Sequence, residues 1–289
     1  MTNRHPIWTE RITLAVNGFN PVPYRTDSGL TVLYRRHHGT YATPYAQDYG
    51  RALATEYQIH PACEDTRPVP GTNPRLIVGA IYSNTTRQAA LWTAETHGKI
   101  TCLHRPQTLF IPSGRTRLSG KPEKNWLIWS HSPHRLRAIY HVCPYALAEP
   151  AADYNAWQIT HRHDWPAPKW TRNLSRHLRG STPPVTMGNG RLLVLWHFRA
   201  VDGGYWTGAT IHGPDWPHNP EAATAEPLLT PNDATRVSPL WPPNTCIFPM
   251  FLELAPSGLA TLWAGDSDQS SIVLLAPLDN LLRTMEPIP

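Results

Sequence analysis

Glu64-Asp65-Thr66-Arg67 opens a unit of sequence whose repetition predicts the fold of this chain. A turn follows these four residues, and then comes an apolar run from Leu76 to Tyr82. The same order, a polar or Pro-containing cluster before an apolar strand, recurs at starts about 45 to 66 residues apart. The other openings are Phe19-Asn20-Pro21-Val22, Glu123-Lys124-Asn125-Trp126, Ser181-Thr182-Pro183-Pro184-Val185 and Phe248-Pro249-Met250-Phe251. Strand repeats of roughly 40 to 50 residues are typical of propeller blades, so we expect an all-β, five-bladed β-propeller that forms a single domain over residues 1–289.

Short apolar runs and rigid turns agree with this prediction. The chain has 31 Pro and 12 Trp among 289 residues, and only 16% of its residues are charged. Pro spread along the chain interrupts helices, and so many Trp side chains argue against disorder. Gly188-Asn189-Gly190 and Asp202-Gly203-Gly204 are predicted hairpin turns, because both tolerate positive φ. One short helix is expected at 277–282, and a β-sandwich is the alternative fold.

The basic residues are scattered along the chain. The formal net charge is +5, but Arg and Lys form no run of five or six, so we expect no nucleic-acid partner. Arg also suits bidentate binding of an anionic small molecule. No run approaches the ~18–20 apolar residues that cross a bilayer, and residues 1–20 lack the apolar core of a signal peptide. We therefore expect a cytoplasmic protein that does not bind membranes.

The cysteines and histidines form no recognisable metal or redox motif. Cys63, Cys102, Cys143 and Cys246 lie far apart in the sequence, which suits reduced thiols in the cytoplasm. None of the fifteen His lies in a His-Glu-x-x-His context. Gly-rich phosphate-binding loops and a Gly-x-Ser-x-Gly nucleophile elbow are also absent from the sequence. The sequence therefore predicts no metal site and no organic cofactor.

The polar clusters predict where a functional site would lie. In a propeller the innermost strand of each blade begins beside the central channel, so the clusters that open the units converge on one pocket. Taken alone, Glu64-Asp65 is an acidic pair of a kind that is usually solvated. Gly265-Asp266-Ser267-Asp268, between two apolar runs, would bring further carboxylates to the same channel.

In their order, these clusters resemble the β-mannoside phosphorylases of glycoside hydrolase family 130 and related β-mannosyltransferases, which are five-bladed β-propellers. That family carries Asn-Pro, Glu-Asp-Pro-Arg, a Lys-Asn-Trp segment, a Gly-Thr-Pro-like opening and an acidic Gly-Asp-x-Asp stretch. The corresponding motifs here span nearly the whole chain: Asn20-Pro21, Glu64-Asp65-Thr66-Arg67, Glu123-Lys124-Asn125-Trp126, Ser181-Thr182-Pro183 and Gly265-Asp266-Ser267-Asp268. The resemblance implies a carbohydrate-active enzyme that cleaves or transfers a glycosyl unit with inversion.

The resemblance also implies roles for individual residues. Asp65 matches the general acid of the family, and Glu64 and Glu123 would tune its proton or hold sugar hydroxyls. If the reaction is phosphorolysis, inorganic phosphate is the co-substrate and needs a cationic cradle, for which the candidates are Arg67, Lys124, His131, His134 and Arg135. The other candidates would contact a small sugar or glycoside substrate: Asn20, Asn125, Trp126, Thr182, Tyr205, Asp266 and Asp268. Trp126 and Tyr205 suit sugar stacking and core packing equally well.

The chain departs from the family pattern next to the expected acid. Thr66 stands where the family has Pro, and Pro68-Val69-Pro70-Gly71-Thr72-Asn73 lengthens the turn that follows. Two alternatives follow from this departure: a propeller that binds sugar without catalysis, and a propeller recruited to non-glycosidic biosynthetic chemistry. The motifs leave open the sugar, the linkage, the attacking group and the oligomeric state.

Overall fold

Strands make up almost all of the regular secondary structure in this computed structural model. It describes residues 7–15, 18–26, 29–38, 41–49, 56–58, 63–72, 76–83, 86–96, 100–108, 125–132, 135–151, 156–171, 178–239 and 245–289. The strands are β1 (Glu10–Thr13), β2 (Phe19–Thr26), β3 (Gly29–His38), β4 (Tyr41–Tyr49), β5 (Glu56–Gln58), β6 (Cys63–Pro68), β7 (Leu76–Ser83), β8 (Thr86–Thr96), β9 (Ile100–Thr108), β10 (Leu127–Ser132), β11 (Arg135–His141), β12 (Tyr145–Pro150), β13 (Trp157–His163), β14 (Arg179–Gly180), β15 (Val185–Thr186), β16 (Leu192–Arg199), β17 (Tyr205–His212), β18 (Pro220–Thr224), β19 (Ile247–Leu254), β20 (Leu259–Asp266), β21 (Ser270–Pro277) and β22 (Met285–Pro287). Two 3-10 turns, Lys169–Thr171 and Pro231–Asp233, and one short helix, α1 (Leu278–Leu282), complete the described elements.

The strands form successive antiparallel meanders, as a propeller requires. The first blade is β2-β3-β4-β5, the second is β6-β7-β8-β9, and the third is β10-β11-β12-β13. The last blade combines β19, β20 and β21 with the N-terminal strand β1. Between the third and last blades lies a six-stranded sheet, here called the fourth sheet, made of β14 to β18 and β22. The all-β prediction and the propeller prediction are confirmed, and the chain does not form the two facing sheets of a β-sandwich.

The fourth sheet departs from the expected repeat. Four sheets are regular four-stranded blades, whereas the sequence predicts five. The strand that opens the fourth sheet is split into β14 and β15, with Pro183-Pro184 between them, because Pro cannot donate a backbone hydrogen bond to the ladder. The C-terminal strand β22 adds to the far edge through β18. The sheet therefore has six strands instead of four.

The two ends of the chain are built into different sheets. The N-terminal strand β1 pairs with β21 over Glu10–Thr13, which makes it the outer strand of the last blade. Helix α1 links β21 to β22, and β22 extends the fourth sheet. The C-terminal segment thereby joins the last blade to the fourth sheet, and the N-terminal segment joins the last blade to the first one.

The core lies between neighbouring sheets, where it takes up most of the aromatic and aliphatic side chains. One cluster joins the fourth sheet to the last blade and includes Leu193, Leu195, Leu252 and Leu262. Another joins the third blade to the fourth sheet around Trp129, Tyr145, Trp196 and Phe198. Such packing explains the high Trp content, since large flat rings fill the wedges between blades.

Several local predictions are confirmed. Gly190 has φ of +78° and Gly203 has φ of +90°, so each occupies the left-handed conformation that its turn requires. The one short helix occupies Leu278–Leu282, within the range expected from the sequence. No helix in the described ranges is long and apolar enough to cross a membrane.

Candidate active site

Polar residues in the left-handed conformation stand at equivalent places in the first three blades. Asn20 in β2 has φ of +55°, Asp65 in β6 has φ of +52°, and Asn125, just before β10, has φ of +68°. The pairing register shifts at two of these places, between 19 and 22 and between 64 and 67. Asn and Asp are the non-glycine residues that best tolerate this conformation. Each bulge redirects a side chain from the sheet ladder towards the centre, as bulges at functional sites do.

Asp65 is a buried candidate acid that also lines a pocket. It is 3% exposed, and its Oδ1 accepts hydrogen bonds from Arg35 Nη1 at 3.0 Å and from Asn20 Nδ2 at 3.1 Å. Arg35 comes from the second strand of the first blade, and its guanidinium lies 5.0 Å from the centre of the Phe19 ring. Two donors, one of them a cation, fix the orientation of the carboxylate and stabilise its charged form.

Arg67 ties the second blade to the last one. It is 2% exposed, and its Nε donates to Met250 O at 3.2 Å while its Nη1 donates to Asp65 O at 3.1 Å. The guanidinium also lies 6.0 Å from the centre of the Phe248 ring. With these contacts Arg67 holds inner strands together across the channel, in addition to the phosphate role that the sequence suggests for it.

A small pocket lies directly beside Asp65. Its lining consists of Asp65, Arg67, Val78, Gly79, Ala80, Asn125 and Trp126. The Asn125 side chain is buried, and neither its Oδ1 nor its Nδ2 has a hydrogen-bond partner within the described part of the chain. An amide with both a donor and an acceptor unused is suited to binding a hydroxyl group that is itself both donor and acceptor. Asn125 is therefore the described residue best placed to bind a substrate hydroxyl next to Asp65.

Trp126 belongs mainly to the core of the third blade. Its ring makes edge-to-face contacts with Tyr140 at 5.1 Å and with Trp157 at 5.6 Å, between ring centroids. It is buried, and part of its surface lines the pocket beside Asp65. Packing in the core therefore explains the position of Trp126, and only part of its surface lines the pocket.

The opposite wall of the centre is built by the fourth sheet and the last blade. Ser181 Oγ lies 2.7 Å from His197 Nδ1, and both residues are buried. The His197 ring stacks on Tyr205 at 5.7 Å and meets Phe248 at 4.8 Å, between centroids. Thr182 is also buried, and its Oγ1 lacks a hydrogen-bond partner among the described residues. This wall therefore offers two hydroxyls, an imidazole and an aromatic pair.

Tyr205 is electrostatically linked to the candidate acids. Burial is the largest cause that raises the pKa of its phenol above the ordinary value. The Cys246 thiol raises that pKa further, Arg199 opposes it, and Asp268 and Asp65 add smaller upward effects. The phenol consequently stays protonated at neutral pH, so it can donate a hydrogen bond to a ligand in the centre.

Asp266 and Asp268 have partners that fasten the last blade. Asp266 is 0% exposed, and its Oδ2 accepts from Arg11 Nη2 at 2.5 Å and from Thr235 Oγ1 at 2.6 Å. Asp268 Oδ2 accepts from Ser238 Oγ at 2.9 Å. Thr235 and Ser238 lie in the segment that connects the fourth sheet with the last blade, and Arg11 belongs to β1 of the last blade. Of the two, Asp268 is the one that acts electrostatically on Tyr205.

Arg135 lies far from Asn125 and from the pocket. Inner strands β6 and β10 run side by side, and Ser130 N donates to Pro70 O at the end away from Asp65 and Asn125. The path from Asn125 to Ser130 is roughly 16 Å at the usual rise of a strand. Arg135 comes after Ser130, and its side chain is 67% exposed beside Glu149. The structure thus does not bring Arg135 to the candidate site.

The other predicted site residues have no described side chains. His131 is placed only as part of β10, and Glu64 only as part of β6. Glu123, Lys124 and His134 lie outside the described residues. In the ranges that the structure does describe, no three His, Cys, Asp or Glu residues are grouped so as to hold a metal ion.

Sequence reasoning missed Arg35 and His197 as parts of the site. Both are polar residues at the end of, or within, otherwise apolar strands: Arg35 follows Leu30–Tyr34, and His197 interrupts Leu192–Phe198. Each is buried in the structure. A charged or titratable residue inside a buried strand requires a partner, and that requirement was the available signal.

Comparisons with known proteins identify the fold. No family model matches the chain, and no curated protein matches it. Among solved structures, a glycosyl hydrolase from Bacteroides ovatus superposes with a TM-score of 0.67 at 14% identity, covering 98% of this chain and 88% of that one. A β-1,2-mannobiose phosphorylase from Listeria innocua, in complex with β-1,2-mannobiose, gives 0.63 at 12% identity, covering 98% and 95%. A GDP-Man-dependent mannosyltransferase from Leishmania mexicana gives 0.63 at 12% identity, covering 96% and 91%.

Proposed function

We propose that this chain is an inverting carbohydrate-active enzyme that cleaves or transfers a glycosyl unit, with Asp65 as its general acid. The observation that carries the proposal is the position of Asp65: it is buried, held by Arg35 and Asn20, and next to a pocket lined by the Asn125 amide, which has no hydrogen-bond partner among the described residues. The solved structures with this fold that were compared above act on glycosides or transfer mannose, which supports the same class. We also propose that the six-stranded fourth sheet counts as a blade, which brings the number of blades to five. In this proposal the chain is a distant relative of the β-mannoside phosphorylases.

The roles follow from the chemistry of inversion. An inverting enzyme protonates the leaving oxygen on one side of the sugar while a nucleophile attacks from the other side. Asp65 supplies the proton in this proposal, and Asn125 and Thr182 bind sugar hydroxyls. Tyr205 donates a hydrogen bond from the opposite wall. Water, inorganic phosphate or an acceptor alcohol is the attacking group, and the products of the reaction distinguish them.

Asp65→Asn is the direct test of this assignment. Purified protein is incubated with β-1,2-mannobiose and with 4-nitrophenyl β-D-mannoside, each with and without inorganic phosphate, and with GDP-mannose plus mannose. We expect turnover of one of these substrates, lost by about 10³-fold in Asp65→Asn, because a general acid typically contributes 10² to 10⁴-fold. Proton NMR of the first anomer released is expected to show α product from a β-mannoside.

The matched control is Asp215→Asn, since Asp215 is an exposed carboxylate in the loop between β17 and β18. It should retain the activity of the unaltered chain, and thermal unfolding should show that both variants are folded. Full activity in Asp65→Asn, with either nucleophile, would contradict the assignment.

A sugar-binding propeller without catalysis is the second candidate function. It is favoured by the ion pair between Asp65 and Arg35, which stabilises the carboxylate form that cannot donate a proton. This candidate predicts saturable binding of mannose or mannobiose by calorimetry and no product after prolonged incubation. Release of free sugar or of a sugar phosphate would eliminate it.

A further inference from the structure

Gly265 lies against the residue that holds the proposed acid. A Cβ atom placed on Gly265 would lie 2.1 Å from Asn20 Oδ1 and 3.0 Å from Asn20 N. Real Cβ atoms are not found so close to other atoms, so any residue other than glycine would displace the Asn20 side chain. Asn20 Nδ2 is the atom that donates to Asp65 Oδ1 at 3.1 Å. Gly265 thus contacts the same Asn20 side chain that donates a hydrogen bond to the Asp65 carboxylate.

The backbone of Gly265 does not itself require glycine. Its φ lies outside the left-handed region, and it pairs regularly with Phe248 on one side and Ser271 on the other within β20. Glycine in the interior of a strand weakens that strand and often marks a close approach of another chain segment. The close approach of Asn20 is the feature of this site that excludes a side chain at position 265.

The neighbouring Asp266 keeps this part of β20 in place. Successive side chains of a strand point to opposite faces, so Asp266 points away from Asn20. On that face Asp266 Oδ2 accepts from Arg11 Nη2 at 2.5 Å, and from both the backbone N and the Oγ1 of Thr235 at 3.2 Å and 2.6 Å. A strand held from one face by three donors presents a fixed surface on its other face. Asn20 rests on that surface.

We propose that Gly265 is a positioning residue for Asp65: its missing side chain lets Asn20 reach the carboxylate, and the contacts of Asp266 with Arg11 and Thr235 hold Gly265 where it is needed. The catalytic meaning of this inference rests on the function proposed for Asp65. The geometric part, that residue 265 controls the environment of Asp65 through Asn20, stands apart from that function.

The experiment adds one methyl group, as Gly265→Ala. Gly188→Ala is the matched control, because no atom lies within 4 Å of a Cβ on Gly188. The first readout is the titration of Asp65, followed by carbon NMR with labelled Asp and assigned by its absence in Asp65→Asn. Removing one donor from a carboxylate raises its pKa, so we expect the Asp65 pKa to move upward in Gly265→Ala and to stay unchanged in Gly188→Ala.

Turnover supplies the second readout. Misplacing a catalytic group by a fraction of an ångström lowers kcat more than it changes KM, so we expect kcat to fall about tenfold or more in Gly265→Ala with KM within about twofold. Gly188→Ala should match the unaltered chain. If no glycoside is turned over by any variant, the function proposed for Asp65 fails, and the titration still decides whether residue 265 positions its carboxylate.

Asn20→Gly removes the amide while keeping the positive φ of that position unstrained. If Gly265 acts through Asn20, the two changes are strongly non-additive, and Gly265→Ala shifts the Asp65 titration no further in the Asn20→Gly background. The double variant should also be more stable than Gly265→Ala, since the clash with Oδ1 is gone. An unshifted Asp65 titration in Gly265→Ala, or additive effects in the double variant, would overturn the proposal. If Gly265→Ala does not fold, the recovery of folding in the double variant takes its place as the decisive measurement.

Discussion

Two buried carboxylates, Asp65 and Asp266, each have an arginine partner but lie in different surroundings. Asp65 Oδ1 accepts from Arg35 and Asn20, and the residue lines a pocket. Asp266 Oδ2 accepts from Arg11 and from two atoms of Thr235, which belong to the N-terminal strand and to the segment before the last blade. Both lie in acidic motifs: that of Asp65 precedes an apolar run, and that of Asp266 follows one. Burial and an arginine partner are common to both carboxylates, so neither property distinguishes a candidate catalytic group from a structural one. The distinguishing feature is the surroundings: Asp65 lines a pocket, whereas Asp266 connects two segments of the chain.

The largest expected effects come from neutralising each carboxylate in turn. Asp65→Asn should lower turnover by about 10³-fold. It should also cost about 2–4 kcal/mol of unfolding free energy, because it leaves the buried Arg35 guanidinium without its anion. Asp266→Asn should cost a similar amount, roughly 2–4 kcal/mol of unfolding free energy, because three hydrogen-bond donors lose a buried charged acceptor, but it should leave the turnover of the folded protein within about threefold. Urea unfolding and turnover, measured on both variants, test whether both lose stability while only Asp65→Asn loses turnover in the folded state.

Arg11→Met extends the test to the partner of Asp266. It should destabilise the chain to a similar extent, because the carboxylate is then buried without its cation. A negligible stability loss in both Asp266→Asn and Arg11→Met, or a loss of turnover in folded Asp266→Asn as large as that in Asp65→Asn, would break the comparison.

The next expected effect is a pH dependence of folding stability that comes from a buried histidine and not from Asp65 or Asp266. His212 is fully buried between Thr210 Oγ1 at 2.8 Å and His218 O at 2.9 Å, and burial is the main cause that lowers its pKa to about 4. In the unfolded chain an ordinary His binds a proton near pH 6.5. As pH falls from 6.5 to 4, the unfolded state therefore takes up a proton that the folded state does not. Folding stability should drop by about 3 kcal/mol over this window and level off below it.

His212→Asn tests this pH dependence, since the Asn amide can still donate to His218 O. Unfolding free energies at pH 7 and pH 4.5 should differ much less in this variant than in the unaltered chain. His163→Gln is the control and should leave the difference as it is, because His163 is only partly buried. If the unaltered chain and His212→Asn lose the same unfolding free energy between pH 7 and pH 4.5, the loss is due to the carboxylates and not to His212.

The smallest effect concerns an ion pair at the surface between the first and last blades. Arg25 makes two hydrogen bonds to Glu253, but its side chain is 65% exposed. Exposed pairs contribute about 0–1 kcal/mol, since water and salt screen them. Arg25→Met should accordingly change the unfolding free energy by less than about 1 kcal/mol. A loss as large as that of Asp266→Asn would show that burial does not control the cost of breaking an ion pair in this fold.

Much of the fold was predictable, and the candidate site less so. Strand runs, hairpin turns at Gly190 and Gly203, and the short C-terminal helix depend on local preferences that the sequence carries directly. The six-stranded sheet was not predictable, because the pairing of β22 with β18 joins residues far apart in the chain. Arg135 shows the same limit within the site: its place in the sequence is close to Asn125, while the strand carries it to the other end of the blade.

By itself, the sequence determined the strand repeat and the openings at which Asn20, Asp65 and Asn125 occur, since alternation, turns and polar clusters are properties of neighbouring residues. Only the tertiary structure decided what those openings do. It brought Arg35 and Asn20 to Asp65, assigned Asp266 to Arg11, and placed Gly265 beneath Asn20. The reason is physical: the partner of a buried charge is set by how strands and blades are assembled, and this assembly brings Arg11 to Asp266, which is 255 positions away in the chain.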